Sequence, residues 1–197
     1  MSNEAIKNTI SLALITVIAG ILLGVVYEVT KEPIAKEQLR AKEEAYAKVF
    51  KEADSFEEIS VKKKETEEEL NRQGLDASID EALKVLDKSG NTMGYVLTVT
   101  DHEGYGGDIR FAMGVTADGT LNGISFLSIG ETAGLGMKAT EDEFKNQFSA
   151  KKVESFIYTK NGASAENEID ALSGATITTN AVTNGVNAGL YFIRTLE

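Results

Sequence analysis

Hydrophobic and polar positions fall into three regimes along this chain. In the first, no charged residue occurs between Lys7 and Glu28, and Ile10 to Tyr27 is dominated by Ile, Leu, Val, Ala and Gly. At about 1.5 Å of rise per residue, a helix of that length matches a hydrocarbon core roughly 30 Å thick. The pattern predicts a transmembrane helix over about 8–27 and a membrane anchor over 1–30. The competing element is a cleaved signal peptide, whose apolar region is shorter, about 7–15 residues, and ends at a small-x-small site. The run here closes with Val25-Val26-Tyr27-Glu28, which offers no such site. A retained anchor is the better reading.

The second regime is charged. Thr30-Lys31-Glu32-Pro33 contains the only proline and predicts a helix break at the membrane surface. Residues 34–53 carry Leu39, Ala45, Tyr46, Val49 and Phe50 at positions suited to an amphipathic helix. From Lys62 to Glu69 the signs nearly cancel, which describes a solvated helix face or connector better than a binding patch. Residues 79–86 add a short helix or strand around Ile79, Leu83 and Leu86. Together, residues 31–89 read as a helical, charged connector region.

The third regime, residues 90–197, alternates as a folded domain should. Tyr95–Thr100 is β-branched and aromatic, and Ile109–Val115 and Leu121–Ser128 follow as two further strands. Ala117-Asp118-Gly119 between the last two predicts a tight hairpin with positive φ at both central residues. Thr140-Glu-Asp-Glu143 has the form of a capping box opening a short helix, with Phe144 and Phe148 on one side of it. From Thr178 or Thr179 to about Thr195, Val182, Val186, Leu190 and Ile193 repeat at helical spacing. Gly185 and Gly189 inside that helix each cost about 1 kcal/mol relative to alanine, a cost that close packing against a sheet offsets. The fold class is therefore α+β: an antiparallel sheet with packed helices, preceded by one N-terminal transmembrane helix.

Composition narrows the chemistry. No cysteine is present, which excludes disulfides, thiolate metal sites and iron–sulfur clusters within the chain, and one histidine, His102, cannot build a multi-histidine centre. No metal site is expected, and any redox chemistry has to come from an organic cofactor. A net charge of −11 argues against binding nucleic acid. No nucleophile–base triad, P-loop or Rossmann glycine fingerprint occurs, so no catalytic residue is assigned.

Three segments remain as candidates for function. Asp170-Ala-Leu-Ser173-Gly174-Ala175-Thr176 is a small-residue turn that brings a hydroxyl to the start of the last helix. There, backbone N–H groups and the helix dipole favour a phosphate. A hydroxyl residue before a helix is more commonly just a cap. The second segment is Gly130-Glu131-Thr132-Ala133-Gly134-Leu135-Gly136. Its glycines let backbone approach a flat ring, Leu135 is placed to pack on that ring, and Glu131 and Thr132 to hold the loop or the ring's polar edge. The third, Glu103-Gly-Tyr105-Gly-Gly107, is a turn whose tyrosine either stacks near a cofactor or fills the core. His102 reads as an exposed turn residue rather than a base.

The first segment resembles the D-x-x-(S/T)-G-A-T flavinylation motif of the covalent FMN-binding domain family. The second resembles that family's E-T-P-G-L-G signature, in the expected order, and the third a similar E-G-Y-G-G turn. Two positions depart from the pattern. Ala133 stands where proline is usual, and Ile129 where many members carry histidine. The family includes the G subunit of the Rnf ferredoxin:NAD oxidoreductase complex, which the chain resembles most, and the C subunit of the sodium-translocating NADH:quinone reductase.

The resemblance implies FMN esterified through its phosphate to Thr176, with Ser173, Gly174, Ala175, Asp170, Glu131, Thr132, Gly134, Leu135, Gly136, Tyr105 and Thr178 around it. Asp170 would orient or activate the hydroxyl, or else stabilise the loop. It further implies an electron-carrying subunit rather than a stand-alone catalyst, other membrane subunits as partners, and a separate flavin transferase for maturation. Lys31, Lys36, Arg40 and Lys42 after the span mildly favour a cytoplasmic domain by the positive-inside rule. They are interleaved with Glu28, Glu32, Glu37 and Glu43, and the family implies a flavin domain outside the cytoplasmic membrane, which is the side expected here. The alternatives are a free-standing membrane-attached FMN reductase and a non-redox assembly or binding module.

Overall fold

A computed structural model describes residues 3–196. The chain divides into two units, Met1–Ala41 and Lys42–Glu197. Helix α1 (Asn3–Val49) begins in the first unit and ends in the second. Its first part is apolar and exposed throughout, from Ile6 to Val29. Among the described residues it is the one helix long and apolar enough to cross a membrane. Pro33 does not break it. A proline inside a helix removes one i→i−4 bond and costs about 3 kcal/mol, but Glu32, Ala35, Lys36, Glu37 and Gln38 around it are good helix formers.

In the second unit, β1 (Ser55–Ile59), β2 (Ala77–Leu86), β3 (Thr92–Asp101), β4 (Ile109–Thr116) and β5 (Leu121–Ser128) form one antiparallel sheet in chain order. The three strands expected from Tyr95 onward are present. Residues 31–89, expected as a helical connector, behave differently. Two of the five strands lie there, and only α2 (Lys63–Arg72) carries the charge run. Strand β1 escaped because it is an edge strand whose residues are nearly all exposed, so burial imposes no alternation on Ser55-Phe-Glu-Glu-Ile59.

Each face of the sheet has its own cover. On one, Ala45, Tyr46, Val49 and Phe50 at the end of α1 meet Leu83, Val85, Val96 and Ala112. Leu39, assigned to the same stripe, is 56% exposed and lies in the first unit. On the other face, α4 (Thr176–Arg194) packs Val182, Val186 and Leu190 into a cluster with Leu97, Val99, Phe111, Met113 and Val115. Successive residues of β3 alternate between these clusters, as the pleat requires.

Two local expectations are corrected. At the β4–β5 turn only Gly119 has positive φ, +88°, and the Thr116 N–H donates to the Thr120 carbonyl at 2.9 Å. The register shifts between Gly114 and Val115, so one glycine and a bulge make the turn rather than two left-handed residues. The capping box does not form. Helix α3 (Asp142–Lys145) has Glu141 as its N-cap with no side-chain bond, and Thr140 Oγ1 donates back to the Met137 carbonyl at 2.8 Å. The paired aromatics do form, with Phe144 and Phe148 ring centroids 5.6 Å apart. Strands β6 (Ile157–Thr159) and β7 (Glu168–Asp170) make a small parallel pair that feeds the chain toward α4.

Candidate functional site

Helix α4 reaches the sheet closely because two glycines allow it. A Cβ at Gly189 would collide with Met113 Sδ, and one at Gly185 would lie 3.0 Å from the Phe111 ring. This close seat places the first turn of α4 beside the loop after β5. The helix starts at Thr176, two or three residues before the expected Thr178 or Thr179, and Ala175 at its N-cap offers no side-chain bond. Thr179 donates the first backbone bond of the turn, to the Ala175 carbonyl at 3.0 Å. The N–H groups of Thr176, Ile177 and Thr178 therefore precede the intrahelical ladder, the position where helices receive anions.

Three threonine hydroxyls crowd this turn, and two are taken. Thr178 is buried and donates to Glu131 Oε2 at 2.8 Å. Thr179 is buried, donates to the Ala175 carbonyl at 3.0 Å and accepts the Leu172 N–H at 3.0 Å. Thr176 is partly exposed, and no hydrogen bond occupies its hydroxyl.

Glu131 ties the three sequence segments together. It is 8% exposed; its Oε2 receives Thr178, and its Oε1 accepts the Gly106 N–H at 3.0 Å. Gly136 has no room for a side chain, since a Cβ would sit 2.5 Å from Thr178 Oγ1 and 2.6 Å from Glu131 Oε2. Gly106 is likewise pressed against the Gly130 carbonyl. The distant signatures therefore meet through one buried carboxylate.

Around this junction lies a half-open cavity of about 620 Å³ lined by Tyr105, Glu131, Thr132, Leu135, Gly136, Gly174, Ala175, Thr176, Ile177 and Thr178. That volume is in the range of drug-sized ligand sites. Tyr105, Leu135 and Ile177 present apolar surface there, 71%, 44% and 52% exposed respectively. No lysine or arginine lines the cavity. Gly174, at φ +75°, stands where a Cβ would come within 3.2 Å of Leu135.

Nine of the twelve residues expected at the site line this cavity. Ser173 is exposed but outside the lining, and Gly134 serves the loop with φ +76°. Asp170 is placed on β7 as a loop holder. Its Oδ1 accepts the Ala163 N–H at 2.7 Å, and its own N–H donates to Gln147 Oε1 at 2.6 Å. Sequence reasoning missed Ile177, whose signal was an apolar residue lying off the Val182–Val186–Leu190 stripe. Ile129 packs partly buried against the core, and Ala133 is exposed in the loop. His102 is exposed at the turn, as expected, with Nδ1 3.0 Å from Asp108 Oδ1.

Fold and cavity together define a flavin-binding domain joined to a membrane-type helix: residues 104–191 match the FMN-binding domain, and residues 1–49 match the RnfG N-terminal region. The chain belongs to the G-subunit family of the Rnf ion-translocating oxidoreductases. It is 30% identical over 193 residues to the G subunit of the proton-translocating ferredoxin:NAD(+) oxidoreductase complex of Clostridium ljungdahlii, covering 98% of this chain and 94% of that one. It is 32% identical over 190 residues to the G subunit of the Na(+)-translocating ferredoxin:NAD(+) oxidoreductase complex of Acetobacterium woodii, covering 94% and 90%. The crystal structure of the C subunit of the Na(+)-translocating NADH-quinone reductase from Parabacteroides distasonis superposes with a TM-score of 0.50 at 20% identity, covering 80% of this chain and 94% of that one. That likeness concerns the fold.

Proposed function

We propose that this protein is a single-pass membrane electron carrier that holds FMN through a phosphoester to Thr176, as one component of an Rnf-type ion-translocating complex. The observation that carries the reading is the contrast within one helical turn: Thr176 lines the cavity with a hydroxyl that no protein group binds, while Thr178 and Thr179 are bonded and buried. The phosphate would lie at the amides that open α4. A lining without cations suits a phosphodiester, with its single negative charge, better than a free phosphate near −2. Tyr105, Leu135 and Ile177 would cover the ring system, and Gly136 and Gly174 would leave it room. Glu131, by holding Gly106 and Thr178 at once, keeps the two walls in register.

FMN supplies the one- and two-electron chemistry that no side chain of this protein offers. The protein's part is retention, orientation and exclusion of water from one side of the ring. Attachment requires a separate flavin transferase using FAD: the Thr176 Oγ1–P bond forms, the P–O–P bond of FAD breaks, and AMP leaves with the hydroxyl proton. The domain would sit outside the cytoplasmic membrane, in contact with the other subunits. Ion movement would belong to those subunits, because the uncharged span of α1 provides no path for an ion.

The test is in-gel flavin fluorescence after denaturing electrophoresis, with and without co-expressed flavin transferase. The reading expects a fluorescent band that Thr176→Ala abolishes and Thr178→Ala retains. A band lost in Thr178→Ala but kept in Thr176→Ala transfers the acceptor role. No band under either condition removes the covalent carrier altogether.

A further inference from the structure

Asp101 ends β3 and has no surface accessible to solvent. Its Oδ1 accepts the Glu103 N–H at 2.9 Å. Its Oδ2 has no hydrogen-bond partner, the one such buried side-chain polar atom among the described residues. A native fold rarely tolerates that without a reason.

The surroundings favour a neutral group there. Gly185 of α4 abuts Asp101 so closely that an added Cβ would lie 3.2 Å from Asp101 Cβ and 3.0 Å from the Phe111 ring. The charged groups that face it are Glu103 and Asp76, which oppose a further negative charge, and His102, which favours one. Glu103 is itself held by Asn184 Nδ2 of α4 at 2.6 Å, and His102 is paired with Asp108. Among the described residues no cation forms an ion pair with Asp101. Burial, offset in part by the Glu103 amide, pushes the Asp101 carboxyl up to about 7.

The amide that Asp101 holds is the first of the turn Glu103–Gly107. Tyr105 of that turn walls the cavity, and Gly106 donates to Glu131. The turn is thus fixed at its root by Asp101 and at its tip by Glu131.

We propose that Asp101 is a positioning residue: as a buried neutral acid it clamps the turn Glu103–Gly107 against the flavin site, and its ionisation releases that turn. The flavin part rests on the function proposed above; the clamp does not. Ionised, Asp101 would put a third negative charge beside Glu103 and Asp76, at a point with no access to solvent, and opening the turn is its route to water. Closed, the group keeps its proton up to about pH 7. Opened, it loses it in the ordinary aspartate range near 4. Opening therefore increases about tenfold per pH unit between roughly pH 4 and 7, and levels off above.

Amide hydrogen exchange at Glu103 and Gly106, the two turn amides held by Asp101 and Glu131, tests this on the full chain in detergent prepared without flavin transferase. After correction for intrinsic exchange, opening should rise about 50-fold from pH 5 to pH 7 in the wild type and stay flat in Asp101→Asn. A flat wild-type profile, or the wild-type slope persisting in Asp101→Asn, overturns the clamp. If Asp101→Asn does not fold, a carboxyl-carbon NMR titration of the wild type decides. A midpoint near 7 supports the proposal, and one in the ordinary carboxylate range overturns it. Because these readouts use protein without flavin, they stand or fall separately from attachment at Thr176.

Discussion

The two faces of the sheet handle sheltered carboxylates in opposite ways. On the α1 face two half-buried acids each have a cation. Lys42 pairs with Glu81, and Arg110 Nε lies 2.7 Å from Asp80 Oδ2. Tyr46 joins them, donating to Glu81 Oε2 at 2.7 Å and lying 2.7 Å from Thr98 Oγ1. On the α4 face, Asp101 has one amide and nothing else. The ionisation constants follow. Glu81 is held below the usual range: burial opposes this, but Lys42 and Tyr46 outweigh it. Asp101 is raised by burial. A polar network fastens one face, while close packing around glycines fastens the other. The second arrangement brings α4 to the cavity, so the functional end of the molecule depends on the drier and less forgiving interface.

The harshest way to break that contrast is to empty the α4 face. Phe111 is fully buried, between Phe126 at a ring distance of 6.0 Å and Gly185. Phe111→Ala should cost about 3–5 kcal/mol in urea unfolding of the second unit's fold. A loss below about 1 kcal/mol would mean that α4 is not seated on it.

Next in size is the response to acid. Asp101 has a folded-state value above its unfolded one, so the fold holds its proton more tightly. Its contribution is fully present below about pH 4 and is lost as pH rises to about 7. The gap between those two values corresponds to about 4 kcal/mol at most. Glu81 runs the other way: its stabilisation is present above the unfolded value and lost as pH falls through the lower folded one. Stability curves of wild type and Asp101→Asn should therefore diverge between about pH 4 and 7 and stay apart above, with the falling slope absent from the variant. Parallel curves would erase the difference between the faces.

Smallest is Tyr46→Phe, which removes one hydroxyl from the α1-face network and leaves Thr98 Oγ1 buried without it. We expect about 1–2 kcal/mol in the same unfolding measurement. A cost equal to that of Phe111→Ala would put the polar network, not apolar packing, in charge of the fold.

How far these features could be read from residues alone follows from what each signal measures. Periodicity reports burial, so β3 to β5 and α4, which alternate between solvent or the opposite face and the core, were visible. Strand β1, buried on neither side, was not. Local propensity over-predicted at Pro33 and Thr140, where a helix tolerates one missing bond and a hydroxyl finds a nearer carbonyl. Most of the cavity lining was legible from the motifs that carry the family resemblance, in which Gly106 and Gly136 are demanded by close approach. Glu131 stood out as a motif residue. Its role as a bridge between Gly106 and Thr178 depends on tertiary approach, which no spacing encodes. Asp170 shows the reverse: a motif position whose carboxylate folds the loop before β7.

The central claim is a single ester at Thr176, and intact-mass spectrometry of the protein from its native host tests it most directly. The account predicts the polypeptide mass plus one FMN less a water, with the added mass localised by peptide fragmentation to Thr176. An unmodified polypeptide mass, or the flavin on Ser173 or Thr178, would contradict it.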